Sequence, residues 1–201
     1  MSGVRVLDVG RRISGPYCAR TLANMGADVI KIEPPEGDES RHMGPFPTDG
    51  PHPEKSGLFL ALNINKKGVV LDLTTEEGAS GFRKLAKTAD IVVDNLPLGH
   101  LNNLGFGYDT LRENTPGIIV TSITPFGQTG PYSDYRGPHA VVEALAGFMS
   151  AHGDDLMPPV VTPNHITYQV ASVHGAYLTL AGIRHSKRSG KGQQIDQSLQ
   201  E

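Results

Sequence analysis

A single cysteine, Cys18, stands among 201 residues. That excludes an intramolecular disulfide framework and points to a reducing compartment. No run of 18 apolar residues occurs, so no membrane-spanning helix is expected. The opening "MSGVRVLDVG" lacks the long apolar stretch of a secretory signal, and the expected location is cytoplasmic. The net charge is −3 with Lys and Arg dispersed, which leaves no footprint for nucleic acid or an anionic membrane. Phosphate-binding glycine signatures are also missing. There is no G-x-G-x-x-G after the first strand and no G-x-x-x-x-G-K-[ST] anywhere, which weighs against a dinucleotide or P-loop domain. No G-x-S-x-G elbow is present, and the eight histidines form no H-x-x-x-H pair on a predicted helix. Neither a serine hydrolase nor a zinc site, nor any other metal site, is expected.

What remains is an ordinary globular composition, 38% hydrophobic and 19% charged, in a chain long enough for one domain with a real core. "VRVLDV" (4–9) reads as a strand and "GPYCARTLANMG" as a helix, with Pro16 at a first helical position and Gly26 as the left-handed residue that ends it. Cys18 falls in that helix as a small buried residue. "ADVIKIE" (27–33) is a second strand, and the β-α-β crossover implies parallel pairing. Residues 34–53 read as a long loop. "GLFLALNI" and "VVLDL" look like two strands around a turn "NKKG". "TTEEGASGFRKLAKTA" is a helix opened by a Thr-x-x-Glu capping box. "DIVVDN" is a strand, "YDTLRENT" a short helix and "GIIVTSIT" a strand. "HAVVEALAGFMSA" and "ITYQVASVHGAYLTLAGIRHSKR" are helices, the second closed by Gly190 and Gly192 before "QQIDQSL". The alternation predicts an open α/β sheet.

Ligands of such sheets bind beyond the carboxyl ends of the strands. Four segments qualify: "GRRIS", "PPEGDESR", "NLPLG" and "TPFGQTGP". Basic residues gather there, with Arg11 and Arg12 at one rim, Arg41 at another and Lys66 and Lys67 in a nearby turn. An elongated, highly anionic ligand would want that distribution, because Arg and Lys neutralise phosphates. Glu33, at a strand end, is expected to sit in an ion pair with Lys31 or Arg41.

Seven segments in register resemble the family III CoA-transferases, which also contain carnitine-type CoA-transferases and α-methylacyl-CoA racemases. They are "VRVLDVGRRISGP", "LANMGADVIKIEPPEGDESR", "NINKKGVVLDLTTEEG", "ADIVVDNLPLG", "LGFGYDTL", "SITPFGQTGPY" and "RSGKGQQIDQSLQE". The resemblance implies an α/β fold with a Rossmann-like open, mainly parallel sheet and helices on both faces. It also implies that residues 1–201 are the N-terminal CoA-binding part of a large domain, without the family's small domain and C-terminal return segment. CoA or acyl-CoA would be a substrate, with no tightly bound cofactor. The partner would be another chain, in an interlocked homodimer or a heteromer with a catalytic family member.

Carried over by position, the family's CoA contacts fall on Arg11, Arg12, Ile13, Pro34, Arg41, Lys66, Leu71, Asn95 and Leu96. Asn103 and Pro34 stand where members carry Arg. The family's nucleophilic aspartate falls at Tyr168, a phenol that cannot form the acyl anhydride of a carboxylate. The racemase His-Asp pair falls at Pro138 and His139, and its second aspartate again at Tyr168. The leading expectation is a CoA-transferase-like protein that binds acyl-CoA and moves CoA between carboxylic acids; the alternatives are a non-catalytic CoA-binding subunit of a heteromer and, further off, an acyl-CoA racemase or a nucleotide-binding domain.

Overall fold

A computed structural model describes residues 1–48, 50–154 and 156–200. Its centre is one six-stranded sheet in which every pairing is parallel. The first β-α-β unit is as expected: β1 (Arg5–Asp8), α1 (Ser14–Asn24) and β2 (Asp28–Glu33). Gly26, at φ +92, takes the left-handed conformation that ends α1. Pro16 is not the first helical residue, since α1 already begins at Ser14.

The expected hairpin after residue 56 is absent. "GLFLALN" is instead a helix, α2 (Gly57–Asn63), capped by Ser56, whose hydroxyl accepts from the Phe59 amide at 3.1 Å. The segment contains no β-branched residue, and its Leu and Ala favour a helix once Ser56 supplies a cap. The "NKKG" turn is likewise part of β3 (Lys66–Val70), which pairs with β2 from Val29↔Lys66 to Glu33↔Val70. The sheet is therefore wholly parallel among the described residues.

Helix α3 (Glu76–Ala86) is capped one residue later than expected. Thr75 accepts from the Gly78 amide, while Thr74 is held in a turn by Asp72. Then follow β4 (Ile91–Asp94), α4 (His100–Asn103), α5 (Tyr108–Asn114) and β5 (Ile119–Thr124). Helix α6 (His139–Leu145) is shorter than its sequence pattern, because Gly147 turns left-handed at φ +74 and a 3₁₀ turn takes over at Phe148–Ala151. The long helix α7 (Ile166–Ser189) ends at Gly190 as expected. "QQIDQSL" then forms the last strand, β6 (Gln193–Ser198).

The spatial order is β3-β2-β1-β4-β5-β6, so the winding reverses between β1 and β4. Alternate strand residues enter two separate cores. Val6, Ile91, Val93, Ile119 and Ile123 pack with α1, α6 and α7. Leu7, Val92 and Val120 pack with α3, α4 and α5 on the other face. Cys18 is buried in the first core, and burial pushes its thiol well up from the ordinary range, which makes it inert. No described helix is long and apolar enough to cross a membrane.

Candidate functional site

The reversal between β1 and β4 opens a crevice at the carboxyl ends of the strands, the usual ligand position in such sheets. Its floor is the turn from β1 into α1. Gly10 and Gly15 touch there: a Cβ on Gly15 would lie 2.8 Å from the Gly10 Cα. Asn95, just past β4, clamps the turn. Its Oδ1 accepts from the Arg11 amide at 2.7 Å, and its Nδ2 donates to the Arg11 carbonyl at 2.8 Å and to Ser14 Oγ at 2.9 Å. Arg12 sits at φ +60, a conformation that non-glycine residues rarely adopt, and its amide donates to Asp38 Oδ1 at 3.0 Å.

Beneath this turn lie four buried charges, two of each sign. Lys31 Nζ lies 2.8 Å from Asp38 Oδ2 and 4.0 Å from Asp8 Oδ2, and it also donates to the Gly10 carbonyl. Lys66 Nζ donates to Asp8 Oδ2, the Pro16 carbonyl and Asn63 Oδ1, each at 2.8 Å. The Lys66 side chain is 1% exposed, and all three of its protons have acceptors. Burial lowers the Lys66 pKa, with Asp8 opposing that shift. Burial likewise opposes ionisation of Asp38, but Lys31 and Ser40 prevail and hold its carboxyl below the usual range. Arg41 closes the rim by a two-pronged pair with Glu33, at 2.7 and 2.9 Å, and lies 3.7 Å above the Phe59 ring. Glu33 is thus paired with Arg41, not Lys31.

Two cavities flank the turn. One, about 250 Å³, is walled by Arg11, Pro34, Leu71 and Leu96 together with Val9 and Ile32. The other, about 390 Å³, is walled by Arg12, Ile13, Asn95, His139, His165 and Tyr168, with apolar Ile123 and Leu199 behind. Neighbours in sequence thus face opposite ways: Arg11 and Leu96 towards one cavity, Arg12 and Asn95 towards the other. Seven of the nine expected contact residues meet here. Arg41 and Lys66 line neither cavity and are spent on the frame.

Tyr168, on the first turn of α7, stands in the second cavity within a cluster of three rings. Ring centroids are 5.7 Å from His139 and 5.9 Å from His165, and the two imidazoles are 5.1 Å apart. Burial raises the Tyr168 pKa further from neutrality, with Arg12 opposing. His139 is fixed by Thr167 Oγ1 and the Thr162 carbonyl, each at 3.0 Å, and by Glu143 at 3.3 Å. Glu143 is fully buried and accepts from both the amide and the hydroxyl of Thr162, which overcome burial and keep its carboxyl below the usual range. It lines neither cavity, so its place is structural. Among the described residues, no Asp or Glu lines the cavity around Tyr168. Asn103, the other departure at the sequence level, lies in α4 and lines neither cavity. Among the described residues no group of three His, Cys, Asp or Glu is arranged for a metal ion.

Sequence reasoning missed the Asp8–Lys31–Asp38–Lys66 network and the buried Asp94 at the end of β4. The signal for the network was an Asp and a Lys inside β-branched strands, positions that demand partners. It also missed that His165 and Asn164, at φ +54 and +62, are both left-handed.

A family model described as CoA-transferase family III matches residues 1–201. The chain is 38% identical over 202 residues to a succinate–glutarate CoA-transferase of Agrobacterium fabrum, covering 99% of this chain and 50% of that protein. It is 37% identical over 195 residues to the BbsE subunit of succinyl-CoA:(R)-benzylsuccinate CoA-transferase from Thauera aromatica, covering 97% and 47%. A crystal structure of a CAIB/BAIF family protein from Brucella suis superposes with a TM-score of 0.92 at 33% identity, covering 99% of this chain and 53% of that one. The chain spans about half the length of the curated relatives it matches. Crevice, strand order and sequence agree, and the chain belongs to the CoA-transferase family III.

Proposed function

We propose that this chain binds an acyl-CoA across the β1/β4 crevice, as part of an assembly that moves CoA between carboxylic acids. The observation that carries this is the meeting of Arg11, Pro34, Leu71 and Leu96 in one cavity and of Arg12, Ile13, Asn95 and Tyr168 in its neighbour. In the first, Val9, Ile32, Leu71 and Leu96 suit adenine and pantetheine and Arg11 suits a phosphate, while Glu36 and Asp72 stand on the same wall; the second cavity receives the acyl end. The names of the relatives point to dicarboxylic acyl groups such as succinyl. Calorimetry with CoA against NAD at moderate salt tests the assignment. CoA is expected to bind and NAD to bind more weakly; the reverse order, or no CoA binding by folded protein, overturns it. Replacing Arg11→Gln together with Arg12→Asn, which tolerates the left-handed backbone, is expected to weaken CoA binding about tenfold or more and to flatten its salt dependence.

A second reading concerns catalysis. With Tyr168 at the position of the family's nucleophile and, among the described residues, no carboxylate on the cavity wall, this chain reads as the non-catalytic member of a heteromer. A relative that is itself named as a subunit supports this. Mass spectrometry after incubation with an acyl-CoA is expected to show no covalent acyl or CoA adduct. An adduct on any carboxylate of this chain contradicts it.

A further inference from the structure

We propose that the cavity around Tyr168 is a carboxylate site, and that an acyl group carrying a second carboxylate enters it together with one proton, taken up by His165. The inference rests on the reading of this cavity as the acyl end of a CoA-thioester site. Its wall offers donors and positive charge: Arg12, Asn95, His139, His165 and Tyr168 face it, and among the described residues no Asp or Glu does. The carboxylate partner of Arg12 is Glu39, at 3.6 Å and with both side chains more than half exposed, too loose a pair to neutralise it.

The two imidazoles are not equivalent. Both nitrogens of His139 have fixed partners in Thr167, Thr162 and Glu143. His165 Nδ1 is buried and, among the described residues, has none. A ring so placed is held by its backbone, since Asn164 and His165 are successive left-handed residues at the start of α7. The helix begins without a side-chain cap, which adds partial positive charge on this side.

Among the described residues, the charged and titratable groups around His165 are Arg12 after β1, His139 and Glu143 on α6, Tyr168 on α7, and His152, just past the 3₁₀ turn, which shares the adjoining groove. Burial, His139 and Arg12 all lower the His165 pKa, and Glu143 alone opposes them. Without a ligand these neighbours therefore disfavour the imidazolium. A carboxylate set between Arg12 and His165 supplies the missing negative charge and favours the imidazolium. The proton comes from solvent, and no other bond changes.

The test is calorimetry of succinyl-CoA and butyryl-CoA, which differ by the distal carboxylate, with free CoA as reference. Runs in two buffers of different ionisation enthalpy at several pH values count protons. The CoA phosphates titrate in both thioesters and cancel in the difference. Succinyl-CoA is expected to bind more tightly, with an advantage that grows by up to about tenfold per pH unit as pH falls, and to take up about one more proton. Equal affinities or equal proton counts, with CoA still bound, overturn the inference and leave the CoA reading standing. Failure of CoA itself to bind overturns both. His165→Gly keeps the left-handed backbone without the ring, and His165→Asn keeps it with a group that does not titrate. Both are expected to abolish the extra proton; an extra proton retained in either variant shows that His165 is not the acceptor.

Discussion

Asp94 shows how much a single residue can be altered by its place. It ends β4 in a site that is 6% exposed, with Ser122 Oγ donating to one oxygen at 2.7 Å and the Leu96 amide to the other at 3.3 Å. Burial nonetheless pushes its pKa up to about 6, against an ordinary 3.8, and the nearby Asp196 adds to the shift. The folded state thus keeps a proton that the unfolded chain releases. Stability from this group is fully present below about pH 4 and is lost as pH rises through about 6. Asp94→Asn is therefore expected to stabilise the protein by up to about 3 kcal/mol at pH 8, with the gain vanishing near pH 4. Urea denaturation of both proteins at the two pH values checks it, and an equal difference at both contradicts the assignment. Asp38 behaves oppositely: its depressed pKa supports the fold above the ordinary carboxylate range and is lost in acid.

Among the elements, the turn from β1 to α1 is the most constrained. A methyl on Gly15 would meet the Gly10 Cα at 2.8 Å and Asn95 Oδ1 at 3.1 Å, so it strikes both the crossing backbone and the clamp on Arg11. Gly15→Ala is expected to cost about 1–3 kcal/mol and to weaken CoA binding with it. Gly68→Ala in β3, where an added methyl meets nothing within 4 Å, is the control and is expected to be near neutral. Denaturation midpoints and CoA titrations of the pair check this; similar losses in both would show that close packing at the turn is not the cause. Elements were mostly legible from local pattern, because hydrophobic period and Gly or Pro punctuation act within a few residues. Helices α2 and α4 and strand β6 were not. "GLFLALN" is apolar enough for either state, and "QQIDQSL" becomes a strand only because β5 offers it an edge.

Across the whole molecule, large apolar side chains remain at the surface in separated places. Leu156 is 92% exposed, Met157 66%, Val70 63% and Tyr177 61%. Val70 lies on β3, a sheet edge, and Tyr177 lies on the outer side of α7. Surfaces of this kind normally mark contacts with other chains. The 201-residue chain is expected to self-associate, giving a dimer or larger species by light scattering at micromolar concentration. A stable monomer under those conditions contradicts this.

The sequence by itself determined the α/β class, the family, and the crevice at the carboxyl ends of the strands with Arg11–Arg12 and Asn95–Leu96 at its rim. These are readable because strand period, glycine placement and motif order are local properties of a chain. Only the tertiary structure decided which cations line the cavities of the crevice. Lys66 and Arg41 read from sequence like Arg11 and Arg12. The sheet, however, sets Lys66 against Asp8, 58 positions away in the chain, and the turn at Asp38 folds Arg41 back on Glu33. Buried carboxylates take whichever cations the strand register brings within reach, and that register is a property of the assembled sheet.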